Sequence, residues 1–190
     1  MARPKQFDEE RAVDAAMRAF WRAGYDGTST EALCAATGLG RSSIYNTFSS
    51  KHDLFQRALR RYMTDKNAHI FAILEEPGSV RDRVRALLWL IVDAPEDDPL
   101  GCLVVNSTVE LGTRYPEIAR LLRADLDRRL DALTSAFSAG QRSGEIDKRR
   151  DAAALANFVI TTISGMCVAA RGGADRATLE SIAGVALSCL

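Results

Sequence analysis

Apolar positions recur at helical spacing along the chain, which predicts an all-α protein built as a small head on a larger helical body. A first helix is expected near residues 8–24, where Val13, Met17, Phe20 and Trp21 form an apolar stripe and Gly24 ends the run. Two short helices follow near 30–37 and 41–48. Ala32, Leu33, Ala35 and Ala36 give the first of these compact contacts, and Thr28, Ser29 or Thr30 is placed to cap its free N–H groups. Gly38 permits the tight turn between them, and Leu39 covers the small core there. Ile44 and Phe48, four residues apart, share the inward face of the second.

A longer helix begins near Lys51. Its early apolar residues, Leu54, Phe55, Leu59, Tyr62 and Met63, cover the head, whereas Ile70, Phe71 and Leu74 enter a second core. Pro77-Gly78 breaks it, VRDRVRALLWLIVDA supplies another helix and PEDDPLG a turn. Residues 102–141 hold two helical runs separated near Tyr115-Pro116, the region of Gly144 ends them, and the last two helices are expected near 151–171 and 175–189. The pattern divides the chain into a three-helix head at 1–50 and a helical body at 51–190 that includes the connecting helix.

With 47% hydrophobic and 26% charged residues the chain can bury a core, and nothing calls for disorder over most of its length. Net charge is +0, yet residues 1–70 hold 11 Lys plus Arg against 8 Asp plus Glu, and the remaining 120 hold 14 against 17. That modest asymmetry directs a polyanion to the N-terminal part. The start shows no signal-peptide pattern and the chain no uninterrupted membrane-length apolar segment, so a cytoplasmic protein without a membrane partner is expected. Cys34, Cys102, Cys167 and Cys189 are widely spaced, without the pairing of a zinc site or a disulfide scaffold.

The segment TSTEALCAATGLGRSSIYNTFSSKHDLF, residues 28–55, carries the chemistry. Two helices joined by a glycine turn are the geometry that lets the second enter a DNA major groove. With Ile44 and Phe48 inward, Arg41, Ser42, Ser43, Tyr45, Asn46 and Thr47 surround the exposed side. Arg41 can donate to guanine or phosphate and Asn46 can pair with adenine, while Tyr45 and Lys51 suit phosphate anchoring.

From FDEERAVDAAMRAFWRAGYDGTSTEAL through CAATGLGRSSIYNTFSSKHDLFQRALRRY, residues 7–62 resemble the tetracycline-repressor-like family of bacterial transcription regulators. The resemblance implies that Thr30 touches phosphate, that Arg41, Ser42 and Ser43 open the recognition helix, and that Tyr45, Thr47 and Lys51 face DNA. Glu31 departs from members with a basic residue there. It further implies a C-terminal domain that binds a small molecule and dimerises through a four-helix arrangement of the final helix pairs. The stripes Leu155, Phe158, Val159, Thr162, Ile163, Met166 and Ile182, Val185, Ala186, Cys189 agree with such a homodimer. A dimer presents two recognition helices to a roughly palindromic double-stranded operator.

For the effector, small and apolar or of mixed polarity, Trp89, Leu103, Val104, Phe137, Phe158 and Met166 form either a chamber or a filled core. Asn106, Glu110, Thr161 or Thr162 would orient it. A ligand that favours the wrong separation of recognition helices lowers DNA affinity, so a repressor released by an inducer is expected. DPLGCLVVNSTVELG also resembles a branch that senses reactive electrophiles through cysteine, which makes Cys102 either a sensor or an inert buried thiol. Arg114 lies too far along to assist it. Catalysis, a metal and a cofactor are not expected: His52 and His69 are 17 residues apart, His52 is placed toward solvent, and Asp97-Asp98 reads as a polar turn. A small helical enzyme is the alternative from another class.

Overall fold

The computed structural model describes residues 3–95 and 97–190, with side chains from Glu9 onward. Glu96, within the turn expected at 95–101, lies outside the described residues. The described chain is helical throughout: α1 (Arg3–Gly27), α2 (Thr30–Thr37), α3 (Arg41–Thr47), α4 (Lys51–Glu75), α5 (Val80–Val92), α6 (Leu103–Leu111), α7 (Pro116–Ser143), α8 (Ala152–Arg171) and α9 (Arg176–Ser188).

Local chemistry sets most of these boundaries. Side-chain oxygens of Ser29, Ser50, Ser79, Asp151 and Asp175 accept backbone N–H groups of the first turns of α2, α4, α5, α8 and α9. Each such cap contributes about 1 kcal/mol. Of the three residues expected to cap α2, Ser29 does so, whereas Thr28 is buried and its hydroxyl donates to the Gly24 carbonyl at 2.6 Å. Pro116 opens α7, and Gly144, at φ 84°, closes it.

The buried stripe of α1 differs from the expected one. Ala12, Ala16, Phe20 and Trp21 are buried, while Val13 and Met17 flank the core. Alanines on the inner line let α4 approach closely, and Phe20 then meets Phe55 edge-on at 5.1 Å and Trp21 meets Tyr62 at 4.9 Å. Leu33, Ile44 and Phe48 complete the head from α2 and α3, as their spacing implies.

The head core does not end with the head. Leu103, Val104 and Leu111 of α6 and Ile118 and Leu122 of α7 belong to the same apolar cluster. A second cluster is formed by the end of α4 with α5, α7, α8 and α9, centred on residues such as Val84, Leu88, Phe137, Ala156, Met166 and Ala183. α4 serves both cores along its length. Leu54, Phe55, Leu59, Tyr62 and Met63 lie in the first, and Ile73 and Leu74 in the second, with Ile70 and Phe71 at its edge.

Two expectations about the final helices are corrected. α8 has 20 residues and an 18-residue stretch with a mean hydropathy of 1.7, so by length and composition it could cross a membrane, contrary to the reading that the chain has no uninterrupted membrane-length apolar segment. In the fold it is instead a body helix that buries Leu155, Ala156, Val159, Ile160, Met166 and Cys167 within the subunit. The expected contact stripes are thereby split. Leu155, Val159, Met166 and Ala186 point inward, whereas Phe158, Val185 and Cys189 remain exposed, as does Val168, which lay outside the expected stripes.

Candidate DNA interface and regulatory cavity

Gly38, at φ 71°, turns the chain after α2, and α3 starts three residues later behind Gly40. Burial of Ile44 and Phe48 fixes the rotation of this seven-residue helix. Arg41, Ser42, Ser43, Tyr45 and Asn46 are therefore exposed, and Thr47 is half-buried. Thr30, at the start of α2, shares a hydrogen bond of 3.1 Å with the Tyr45 hydroxyl, and the Arg41 guanidinium lies 5.9 Å from the Tyr45 ring. These contacts gather Thr30, Arg41 and Tyr45 into one polar surface. Lys51 sits at the first turn of α4 with its ammonium 4.5 Å from the Tyr25 ring.

Residues far apart in sequence join this head to the body. Gly24, at φ 77°, turns the end of α1, and the Glu110 carboxylate accepts the Tyr25 and Asp26 N–H groups at 2.9 and 2.7 Å. A Cβ on Gly24 would lie 2.8 Å from Glu110 Oε2, so the turn and the carboxylate fit only with glycine. Arg171, the last residue of α8, donates to the carbonyls of Trp21, Arg22 and Leu100 at 3.2–3.3 Å. Arg18 reaches Asp98 at 3.2 Å and the Asp97 carbonyl at 2.9 Å, so that acidic pair is a structural turn. His52, expected toward solvent, is half-buried between Tyr115 at 5.0 Å and Tyr25 at 5.9 Å. Its Nε2 lies 2.9 Å from Glu117 Oε1 without hydrogen-bond alignment, bringing the starts of α4 and α7 together.

A cavity of about 90 Å³ lies between α4, α5, α6, α7 and α8. Its apolar wall includes Leu87, Ile91, Ile160 and Ile163, and its polar end holds Asn67, Asp125 and Arg129. Asp125 is buried, accepts from Asn67 Nδ2 at 2.6 Å and pairs with Arg129 at 2.8 Å. The paired cation offsets the cost of burying that carboxylate. A wider groove on the surface of α6, α7 and α8 shares Val104, Arg129 and Ile160 with the cavity.

Of the residues expected to bind an effector, Cys102 and Val104 line this cavity. Phe137 and Met166 are fully buried in the body core, Trp89 packs at its edge under the Arg85 guanidinium, and Phe158 points outward. Thr162 donates to the Phe158 carbonyl on its own helix, Glu110 holds the end of α1, and the Asn106 amide nitrogen is buried without a hydrogen-bond partner. The physical reason is helical phase. On α8 the cavity is faced by Ile160, Ile163 and Cys167, whereas 158, 162 and 166 follow a neighbouring line.

Cys102 precedes α6 and is half-buried, with the Tyr62 hydroxyl donating to its Sγ at 3.5 Å. The adjacent Cys167 thiol, then the Tyr62 hydroxyl and the nearby N–H groups of Val105 and Val104, outweigh burial and lower its pKa to about 6. The same contact with Cys102, together with burial, pushes the Cys167 thiol up. No group of His, Cys, Asp and Glu residues arranged to hold a metal occurs among the described residues.

A polar recognition helix behind a glycine turn, joined to a helical body with an internal cavity, defines a ligand-regulated helix-turn-helix protein. Residues 12–58 match the family described as bacterial regulatory proteins, tetR family, and residues 80–184 match the tetracyclin repressor-like C-terminal domain. The chain belongs to the TetR family and is a helix-turn-helix transcriptional regulator, not an enzyme. It is 32% identical over 193 residues to the HTH-type transcriptional regulator YezE of Bacillus subtilis, covering 100% of both chains. It is 34% identical over 188 residues to the HTH-type transcriptional repressor ComR of Escherichia coli, covering 97% of this chain and 90% of that one. Among solved structures, the TetR family regulator CifR, a cysteine mutant complexed with a 26-bp double-strand operator DNA, superposes with a TM-score of 0.83 at 29% identity, over 94% of each chain.

Proposed function

We propose that the protein is a cytoplasmic repressor that binds a roughly palindromic operator as a homodimer and is released by a small effector. The observation that carries the reading is the polar surface around α3, where Thr30, Arg41 and Tyr45 meet while Ile44 and Phe48 anchor the helix beneath. Arg41 and Asn46 are assigned to base edges, and Thr30, Ser42, Ser43, Tyr45, Thr47 and Lys51 to positioning on phosphates. The repressor ComR and the operator complex of CifR support repression through DNA occupancy.

The exposed apolar residues Phe158 and Val168 of α8 and Val185 of α9 are the contact assigned to the second subunit. The effector is assigned to the cavity, with an apolar part against Leu87, Ile91 and Ile163 and one polar group toward Asn67, Asp125 and Arg129. The test is selection of bound sequences from a random duplex library at controlled salt. An enriched palindrome is expected, and the absence of enrichment by a folded dimer would overturn the reading.

Cys102 supports a second mode of release, covalent modification by an electrophile, because its thiol lines the cavity beside a hydroxyl donor. Treatment with N-ethylmaleimide is expected to release operator from the parent protein but not from Cys102→Ser. Equal behaviour of the two would reject this mode.

A further inference from the structure

The second cysteine at the cavity gives Cys102 a partner. Cys167 projects from α8 into the same cavity, and Gly101 brings the two backbones together. At φ 85°, Gly101 places its α-carbon so close to α8 that a Cβ would lie 3.2 Å from the Cys167 carbonyl oxygen and 3.3 Å from Arg171 Cβ. Glycine is what allows this approach. Two thiols thus share one small space, with Tyr62 as the hydroxyl donor to the first.

We propose that Cys102 and Cys167 form a reversible intrachain disulfide on reaction with a hydroperoxide, with Cys102 as the attacking sulfur and Cys167 as the resolving one. The proposal rests on the reading of Cys102 as a reactive thiol and extends it to a second residue and to a class of reactant. A carbon electrophile consumes one thiol and needs no neighbour. An oxidant that removes two electrons needs a second sulfur close by, and the cavity supplies it.

The chemistry balances. The Cys102 thiolate attacks one oxygen of the peroxide, the O–O bond breaks, and the departing oxygen takes a proton to leave as water, or as an alcohol from an organic hydroperoxide. Sulfenic acid remains on Cys102. The Cys167 sulfur then attacks the Cys102 sulfur, the S–O bond breaks, and the hydroxide leaves with the Cys167 proton as water. Two thiols have been oxidised to one disulfide and one peroxide reduced. At about 90 Å³ the cavity has room for hydrogen peroxide, given about 30 Å³ for each water in the liquid. The division of protonation between the pair, with Cys102 low and Cys167 high, matches their two roles.

The bond would form beside the junction with the head. Gly101 accepts the Trp21 indole N–H at 3.3 Å, Tyr62 packs edge-on against Trp21, and Arg171, four residues after Cys167, holds the Trp21 and Arg22 carbonyls. Drawing the two sulfurs to the roughly 2.05 Å of a disulfide moves the α6 entry against α8 at the point where both hold the end of α1. The recognition helix is packed against α1 through the head core, so oxidation is coupled to operator affinity.

The test uses the full chain with Cys34→Ser and Cys189→Ser, leaving Cys102 and Cys167. Hydrogen peroxide is added and non-reduced peptides are mapped by mass spectrometry, independently of any DNA measurement. A Cys102–Cys167-linked peptide that dithiothreitol removes is expected, along with at least a tenfold loss of operator affinity reversed by the same reductant. With Cys167→Ser added, oxidation is expected to stop at a dimedone-trappable sulfenic acid on Cys102. Modification of Cys102 without a linked peptide would overturn the pairing while leaving the electrophile reading standing. No modification of Cys102 would overturn both. A linked peptide with unchanged operator affinity would overturn the coupling.

Discussion

Replacing Glu110 with alanine removes the acceptor that holds the end of α1. The carboxylate receives the Tyr25 and Asp26 N–H groups at 2.9 and 2.7 Å, and the Asp26 contact is exposed. Hydrogen bonds to charged groups contribute about 1.5–3 kcal/mol each, and solvent weakens the exposed one, giving about 3 kcal/mol for the two. At roughly 2–4 °C for each kcal/mol in a protein of this size, the melting temperature should fall by about 6–12 °C. Glu110→Gln keeps an amide oxygen as acceptor and should lose about half as much. Calorimetry or thermal circular dichroism at fixed protein concentration measures both. Gly24→Ala adds an independent comparison, because its Cβ would lie 2.8 Å from Glu110 Oε2 at a backbone φ of 77° that alanine resists. In the presence of Glu110→Ala the steric part of that cost should disappear and the backbone part remain. An alanine variant within about 0.5 kcal/mol of the parent, the range of an ordinary surface change, would refute the assignment of Glu110 as the junction's anchor.

Arg41→Ala should weaken the selected operator by about 1–3 kcal/mol and relax its sequence preference, as read by binding titrations; equal losses on unrelated DNA would reject a base contact. Asp125→Ala, which strands the buried ends of Arg129 and Asn67, should cost about 3–5 kcal/mol in urea unfolding. Val185→Asp should convert the dimer to monomer by light scattering, and an unchanged dimer mass would reject the assigned face. Alkylation of Cys102 by iodoacetamide should rise with pH through about 6, where its thiolate becomes populated, and level off above it, whereas an ordinary thiol with its pKa near 9 would keep accelerating.

Much of the helical layout was legible because its signals are local. Ser29, Asp151, Asp175, Gly38 and Gly144 mark helix ends through caps and a left-handed turn, and the expected spans of α2, α3, α8 and α9 lie close to the observed ones. The outward side of α3 was legible because Ile44 and Phe48 leave it one rotation. The cavity was not. An error of one residue turns a helix by about 100°, enough to choose Thr162 and Met166 over Ile163 and Cys167. Glu110, His52 and Arg171 were missed as links between head and body because their partners lie far away in the chain: the Tyr25 and Asp26 amides, Glu117, and the carbonyls near Trp21. Glu110 carries no local sign distinguishing such a clamp from a ligand contact.

The sharing of one apolar cluster by α1 to α4 with α6 and the start of α7 bears on how this protein can be recombined. A fragment cut after Ser50 would discard Leu54, Phe55 and Leu59 and bare Phe20 and Phe48 to water. A chimera that grafts this reader onto another sensor must therefore carry α4 across the seam and rebuild the Glu110 and Arg171 sockets on the recipient. Retargeting by exchange of α3 surface residues alone leaves the seam intact. On the proposed assignment of the α3 surface, the address on DNA would be replaceable residue by residue, but the head is not a detachable cartridge.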